Sequence, residues 1–333
     1  MLRILDARTG EPVPAAPARR GLTRIEAHAS GLDPTGLRVL LTADLLVRAL
    51  ELGGTPVWTI LTAPRDRPEL RAAATRLAVR PFEDDRDLAS GLGEAQLLHV
   101  AQRGTEDALG QGPVVSVAPA EWVPGSERDG AGGRGVGSEA EDAPGPGGGG
   151  KTPGGAGALP GGEPAGRAGA VAGEDAVEAP GAGAGAGTGA GVRAGERPGP
   201  GGAPGRTADP VPPAPLPLLL SDPCVLRLAL LAVPRSEPAR LDPAALDDAA
   251  RSLARWRRAV AGWARRPSRP VPAEVRDRLR AAWEDDLDLP AVLGVLRDVE
   301  SAPGIPDGAR FETYAYADRL LALDLARDIG GPA

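Results

Sequence analysis

The chain has 333 residues and a formal net charge of −7, with 47 glycines, 36 prolines and only 3% aromatic residues. Because glycine and proline reach the level of low-complexity sequence, this composition excludes one continuous globular core over the whole length. The negative charge gives no overall attraction to DNA or to an anionic membrane surface.

The single cysteine and the lack of long apolar runs argue against disulfide-rich and membrane-spanning proteins. Cys224 has no second cysteine with which to form an intramolecular disulfide, and a cysteine-rich zinc site is excluded. The first residues, MLRILDARTGEPV, contain no apolar run of signal-peptide length, and no stretch approaches a membrane span. We therefore expect a soluble cytoplasmic protein.

Residues 1–120 show strand and helix patterns in alternation. Strands are predicted at residues 2–7, 23–27, 56–61 and 113–118, and helices at residues 37–52 and near 68–79. The first helix has leucines spaced at three and four residues, and it ends at Gly53-Gly54. This alternation predicts a small α/β layer with a parallel sheet.

Residues 121–215 are dominated by glycine, proline and alanine and contain almost no bulky apolar side chains. Such a segment cannot bury enough surface to offset the entropy of ordering its backbone, so we expect a disordered linker. Within it, GPGGGGKT (145–152) matches the phosphate-loop pattern. No strand precedes the match and no helix can follow it, which favours a chance occurrence.

Residues 216–333 are predicted to form a compact helical bundle. Helices are expected at residues 224–233, 243–263, 272–283, 290–299 and 311–329. Asp242-Pro243 provides an N-cap followed by proline in the first turn, and Gly330-Gly331 is expected to end the last helix. Short links that contain proline favour a bundle of neighbouring helices.

Few residues have the chemistry of a metal or acid–base site. His28 and His99 are the only histidines, whereas a metal site needs three or four converging ligands. His28 ends a predicted strand and is better placed to line a cleft, but a structural role is the preferred interpretation of both. Acidic clusters at residues 83–87 and 284–288 offer carboxylates for Mg²⁺ or proton transfer. At the edges of predicted elements they are expected to be helix-end charges or part of a solvated face.

An arginine-rich stretch surrounds Trp256 and Trp263. The candidate RNA contacts in it are Arg251, Arg255, Arg258, Arg265, Arg266 and Arg269. Basic and aromatic side chains in this mixture can pair with phosphates and stack on bases. The alternative, which the acidic whole favours, places both tryptophans in the core and the arginines on the exposed face.

Several segments follow a recognisable order: LRILDARTGEPV at the start, ADLLVRALELGGTPV (43–57), DPCVLRLALL (222–231), EDDLDLPAVLGVL (284–296) and ARFETYAYADRLLALDLAR (309–327). Together they resemble the cysteinyl-tRNA synthetases, a class I aminoacyl-tRNA synthetase family, and the last resembles tails of actinobacterial members. The related cysteine ligases of mycothiol biosynthesis share this pattern, and the residues leave open which family is the nearer relative.

The resemblance implies a Rossmann-like sheet, here a truncated half-domain, with ATP and zinc as the family's cofactors. The family's HIGH signature falls on Asp33, Pro34, Thr35 and Gly36, without either histidine, and its first zinc-ligand cysteine falls on His28. The other zinc ligands belong to the region that the linker replaces. The KMSKS loop should lie just before Asp222, where PVPPAPLPLLL has no lysine or arginine. These departures imply that no catalytic residue remains and that ATP and zinc binding are lost.

We therefore expect a catalytically degenerate cysteinyl-tRNA-synthetase-like protein, a pseudoenzyme that acts by binding a partner protein or a tRNA. The alternative is an active ATP-dependent ligase that adenylates cysteine, of the tRNA or the mycothiol type. A residual tRNA-binding module that uses residues 251–269 and a decaying gene product without a selected role are further hypotheses. A long flexible linker would still allow the two folded blocks to dock, since closure entropy grows slowly with loop length.

Overall fold

A parallel four-stranded sheet forms the centre of the N-terminal block. The computed structural model describes residues 1–16, 22–83, 96–125 and 216–331. The sheet has the order β4-β3-β5-β6, with β3 at Thr23–His28, β4 at Val57–Thr62, β5 at Gln96–Gln102 and β6 at Val114–Val117. In the register of β3, Glu26 lies opposite Ile60 on one side and His99 on the other. The predicted α/β class with a parallel sheet is confirmed, and the Rossmann-like topology remains a prediction.

Helix α1 (Pro34–Leu52) lies between this sheet and the C-terminal helices, and nearly all of its side chains are buried. Gly53 follows its last residue, as the sequence predicted, whereas the helix begins three residues before the predicted residue 37, with Asp33 as its cap. Helix α2 (Arg67–Arg76) follows β4, and an antiparallel pair, β1 (Arg3–Leu5) and β2 (Pro12–Pro14), lies near β6. Leucine spacing alone therefore located the helix at the centre of the core.

The C-terminal block consists mainly of helices, which confirms that part of the prediction. They are α3 (Leu216–Leu219), α4 (Pro223–Leu231), α5 (Pro243–Trp263), α6 (Ala273–Glu284), α7 (Leu289–Ser301) and α8 (Asp307–Leu321). Tyr314 of α8 lies edge-on to Trp256 and Trp263 of α5, with ring centroids 6.0 and 5.1 Å apart. Its hydroxyl donates to the backbone oxygen of Leu296 at 2.8 Å, so this aromatic cluster joins α5, α7 and α8.

The predicted helix over residues 311–329 is wrong at its end. Helix α8 ends at Leu321, because Ala322 adopts a left-handed conformation with φ of 48°. The Asp318 carboxylate accepts from the backbone N–H groups of Leu323 and Leu325 at 2.7 and 3.0 Å. These bonds satisfy backbone N–H groups that follow the helix and hold residues 323–325 against α8. The prediction placed the helix end at Gly330-Gly331 and could not include this interaction.

Contacts between the two blocks are extensive. β7 (Ala120–Trp122) pairs in parallel with β8 (Ala239–Leu241), so the first residues of the predicted linker belong to a strand. The guanidinium of Arg38, on α1, donates to backbone oxygens on both sides, including Ala118 at 3.0 Å and Pro234 at 2.7 Å. The described residues of both blocks form one compact unit. The separate domain boundaries at residues 120 and 216 stay a prediction.

Several predicted features lie outside the described residues: the linker from residue 126 to 215 with its GPGGGGKT match, and the acidic residues Asp84, Asp85 and Asp87. Within the parts of the chain that the structure describes, no helix is both long and apolar enough to cross a membrane.

Candidate functional site

The start of α1 is closed by the chain's own groups. The Asp33 carboxylate accepts from the backbone N–H of Gly36 at 2.7 Å. The Thr35 hydroxyl accepts from the N–H of Ala120 at 3.0 Å and donates to the same residue's oxygen at 3.2 Å. A Cβ on Gly36 would lie only 2.3 Å from the backbone oxygen of Gly31. The positions at which the resemblance aligned an ATP signature are therefore occupied by a cap and by close packing.

The stretch before α4 is apolar where the resemblance aligned a basic loop. Leu219 and Leu220 are buried, and the Asp222 carboxylate caps α4 by accepting from Val225 N–H at 3.2 Å. Residues 211–215 lie outside the described chain. In the described part, residues 216–221, no side chain is positively charged.

A second group of polar side chains meets where β3 and β5 lie side by side. Nε2 of His28 and Nδ1 of His99 are 3.0 Å apart. The Glu26 Oε2 atom lies 3.7 Å from His28 Nε2 and 3.4 Å from His99 Nδ1. Glu26 and His28 share one face of β3 because strand side chains alternate, and His99 is opposite Glu26 in the register. The sheet itself thus brings two imidazoles and one carboxylate together.

Burial keeps both imidazoles of this cluster neutral near pH 7. Burial, reinforced by the neighbouring His99, lowers the pKa of His28 from 6.5 to about 4. Burial is also the main cause of the lowered pKa of His99, which the Gln111 carbonyl and the Glu26 carboxylate partly oppose. Neutral imidazole is the form that binds metal ions.

The second ring nitrogen of His99 is held by the loop before β6. Its Nε2 atom lies 3.1 Å from the backbone oxygen of Gln111, which can only accept a hydrogen bond. Arg8 fixes that loop by donating to the backbone oxygens of Gly110 and Gly112 at 2.7 and 2.8 Å. The Gln111 contact therefore assigns the His99 proton to Nε2 and leaves a lone pair on Nδ1, facing His28 and Glu26.

The resemblance placed the family's first zinc-ligand position at His28 and implied that zinc binding is lost, and the cluster bears on whether such an ion fits. One ligand atom from each of Glu26, His28 and His99 lies within 4.8 Å of the others. Imidazole nitrogen and carboxylate oxygen are ordinary zinc ligands, and three protein ligands are typical of zinc sites with an open position. The residues fit a zinc-type ion, although Glu26 and His99 hold no position that the resemblance assigned.

The sequence interpretation missed this cluster because it did not predict β5. The expectation that nothing completes a site around His28 overlooked the Glu26-Ala27-His28 spacing, which puts two ligand types on one strand face. The run Leu97–Ala101, with His99 inside it, is the signal that could have identified the neighbouring strand.

The arginine-rich stretch is exposed, while its tryptophans are not. Trp256 is 0% and Trp263 is 9% exposed, so neither ring can stack on a base. All six candidate RNA contacts, namely Arg251, Arg255, Arg258, Arg265, Arg266 and Arg269, are exposed. Arg251, Arg255 and Arg266 pair with Asp248, Glu300 and Asp307, which offsets part of the positive charge.

The acidic cluster at residues 284–288 is used within the fold. Glu284 pairs with the N-terminal amine at 2.5 Å, and Asp286 pairs with Arg235. Asp288 caps α7 by accepting from the N–H of Ala291 at 3.0 Å. These contacts match the expectation of charges at the ends of helices. The three carboxylates have partners within the fold, so no metal or acid–base site is needed to explain them.

No protein-family model matches the chain. Two curated proteins are similar to part of it, and both are named L-cysteine:1D-myo-inositol 2-amino-2-deoxy-alpha-D-glucopyranoside ligase. The one from Thermobispora bispora is 39% identical over 105 residues, which cover 32% of this chain and 25% of the relative. The one from Parafrankia sp. (strain EAN1pec) is 42% identical over 89 residues, which cover 27% of this chain and 19% of the relative. The matched segments thus span a quarter or less of these relatives. Over about a third of its length the chain is similar to cysteine ligases, which supports the cysteinyl-tRNA-synthetase-like kinship that its sequence suggested.

Proposed function

We propose that the chain is a cysteinyl-tRNA-synthetase-like protein that does not adenylate an amino acid and acts by binding a partner protein or a tRNA. The observation that supports this most directly is the capped start of α1, where the Asp33 carboxylate accepts from Gly36 N–H at 2.7 Å. A helix N-terminus attracts phosphate through its unsatisfied N–H groups and its positive dipole end. Here a carboxylate already holds one of those groups and adds negative charge.

The sequence around the two signature positions supports the same proposal. Neither the Asp33–Gly36 segment nor the apolar segment before Asp222 contains a histidine or a lysine. Removing one preorganised donor at a transition state typically costs about 3–4 kcal/mol, or about 100-fold to 1000-fold in rate. The loss of several such groups would leave adenylation too slow to matter.

Amino-acid-dependent ATP–pyrophosphate exchange tests the absence of adenylation. The full chain would be assayed with cysteine, with and without Zn²⁺, beside the Thermobispora bispora relative as a positive control. We expect no exchange above a boiled sample of the chain, while the relative exchanges. Exchange that depends on cysteine would replace the pseudoenzyme proposal with an active ligase.

The active ligase is the second candidate, because both similar proteins are named as ligases of L-cysteine. It predicts that ATP, cysteine and 1D-myo-inositol 2-amino-2-deoxy-alpha-D-glucopyranoside together yield AMP, pyrophosphate and a cysteine amide. Mass spectrometry of the mixture would detect that product even where exchange is too slow to measure. Its absence, beside product formation by the relative, would remove this candidate.

Salt-dependent binding distinguishes tRNA from a protein partner. If tRNA is the ligand, replacing Arg258, Arg265 and Arg269 with alanine should weaken binding. The plot of log affinity against log salt concentration should become less steep, by about 2–3 in the magnitude of its negative slope. The control replaces Arg276, Arg278 and Arg280, which are also exposed, on α6, and of which Arg278 and Arg280 pair with Asp298 and Glu284. Equal effects of both triple variants would indicate nonspecific attraction and leave a protein as the partner.

A further inference from the structure

We propose that Glu26, His28 and His99 form a binding site for one divalent transition-metal ion of the zinc type. This inference goes beyond the proposed function and does not rest on it. Only His28 occupies a position that the family resemblance connected with zinc. The other two ligands come from the geometry of this chain.

The three donor atoms have the spacing of a metal site. Their separations are 3.0 Å between the two histidine nitrogens and 3.7 and 3.4 Å from Glu26 Oε2 to His28 and His99. Ligands at zinc bond lengths of about 2.0–2.1 Å in a tetrahedron lie about 3.3 Å apart. An ion placed about 0.6 Å above the plane of these three atoms would be about 2.05 Å from each of them. The separations of the three donor atoms are therefore compatible with one tetrahedral ion.

The positions of the imidazole protons also allow a cation to bind. The Gln111 carbonyl accepts from His99 Nε2 at 3.1 Å, so His99 directs a lone pair from Nδ1. Without metal, His28 Nε2–H donates to that lone pair. On binding, the His28 proton moves to its own Nδ1, and Nε2 becomes the second nitrogen ligand. Both rings stay neutral, and no proton is lost from the pair.

Neighbouring groups orient the three proposed ligands, and the site is still open to solvent. The Gln111 contact orients His99 in the manner of an outer-sphere partner of a metal-bound histidine. Arg24 Nε lies 3.2 Å from Glu26 Oε1, which leaves Oε2 directed at the histidines. The side chains of His28 and Glu26 are 18% and 15% exposed, so an ion can enter and water can complete its coordination.

Two imidazoles and one carboxylate favour Zn²⁺, Co²⁺ or a similar ion over Mg²⁺, which prefers six oxygen ligands. The nearby positive charges of Arg8 and Arg24 oppose any cation, and the Glu26 carboxylate offsets part of that positive charge. We therefore expect Zn²⁺ to bind and Mg²⁺ to be rejected.

Metal titration of the full chain after chelator treatment tests the proposal. We expect one Zn²⁺ per chain by elemental analysis, and a Co²⁺ complex with the intense visible absorption of a low-coordinate site that Zn²⁺ then abolishes. His28→Gln and Glu26→Gln should each weaken Co²⁺ affinity by about 100-fold. Glu121→Gln, an exposed acid in β7, is the control and should leave affinity unchanged.

The buried His99→Gln variant could fail to fold, so the conclusion rests on His28→Gln and Glu26→Gln, whose circular dichroism would be checked. Zn²⁺ should also raise the Tm of the unmodified chain and not that of His28→Gln. A stoichiometry near zero, or Co²⁺ affinity equal in the unmodified chain and both variants, would overturn the proposal. None of these readings depends on ligase activity, so the metal site and the proposed function can fail separately.

Discussion

Arg227 of α4 and Asp44 of α1 form an ion pair with an Nη2–Oδ2 distance of 2.7 Å, and neither side chain is exposed to solvent. The remaining guanidinium donors reach the backbone oxygens of Leu77 and Leu321 at 2.8 and 2.5 Å. A single arginine of the C-terminal block thus contacts the end of α2, the centre of α1 and the end of α8. A buried charge is tolerated only where it is paired and hydrogen-bonded, and here each of the three guanidinium nitrogens has a partner.

Arg227→Met should lower the free energy of unfolding by about 3–5 kcal/mol, because it removes one of the two arginines that pair with buried Asp44, the other being Arg48, and leaves two buried backbone oxygens without their donor. Urea denaturation followed by circular dichroism would measure the change. The control is Arg251→Met, which breaks an exposed pair with Asp248 and should cost no more than about 1 kcal/mol. Equal costs for the two variants would mean that Arg227 does not hold the blocks together.

Two helix glycines should respond in opposite directions to alanine. A Cβ at Gly36 would lie 2.3 Å from the Gly31 backbone oxygen, so Gly36→Ala should destabilise the chain by at least about 2 kcal/mol. A Cβ at Gly294 in α7 would have no neighbouring atom within 4 Å, and Gly294→Ala should stabilise by about 0.5–1 kcal/mol through helix propensity. Thermal unfolding of both variants would check the signs, and a neutral Gly36→Ala would contradict the close packing at the start of α1.

The charge of Asp33 and its role as a cap can be separated. Asp33→Ala should cost about 1 kcal/mol of stability, whereas Asp33→Asn should cost much less because asparagine caps helices as well. Asp242→Ala, at the matching cap of α5, is the control and should cost about as much as Asp33→Ala. Neither Asp33 variant should bind ATP with Mg²⁺ in calorimetry, because Thr35 and Gly36 remain packed against Ala120 and Gly31. ATP binding by Asp33→Asn alone would show that the charge was the only barrier.

Local sequence signals located most helix ends that are marked by a capping residue, a proline or a glycine. The Asp-Pro start of α5 and the Gly53 end of α1 were predicted correctly, since caps and prolines act within one turn. The end of α8 was not, because it depends on Asp318 accepting bonds from a chain that folds back. Strand β5 was missed because a short apolar run does not distinguish strand from helix.

The candidate site was harder to predict than the fold for a related reason. His28 and His99 are far apart in sequence and become neighbours only through the parallel pairing of β3 with β5. Without β5, no local pattern could indicate that Glu26, His28 and His99 meet. The N-terminus of α1, in contrast, is local, but the helix was predicted only from residue 37, so the cap at Asp33 was also missed.

The neutral histidine pair makes stability depend on pH in a definite direction. The pKa of His28 is lowered to about 4 in the folded chain, chiefly by burial, and lies near 6.5 when unfolded. Between these values the unfolded state binds the additional proton, so the free energy of unfolding falls as the pH decreases from about 6.5 to 4. Above about 6.5 both states are neutral and the effect is absent. Burial also lowers the pKa of His99, so His99 contributes to the pH dependence of stability in the same direction.

His28→Gln should remove part of this dependence, so the difference in unfolding free energy between it and the unmodified chain should change by about 2 kcal/mol between pH 7 and pH 4.5. Urea titrations with a chelator present would keep metal ions out of the comparison. Exposed carboxylates contribute equally to both proteins and cancel in the difference. A difference that does not vary with pH would mean that His28 is protonated as readily in the folded state as in the unfolded one, and the pair would then not be neutral near pH 6.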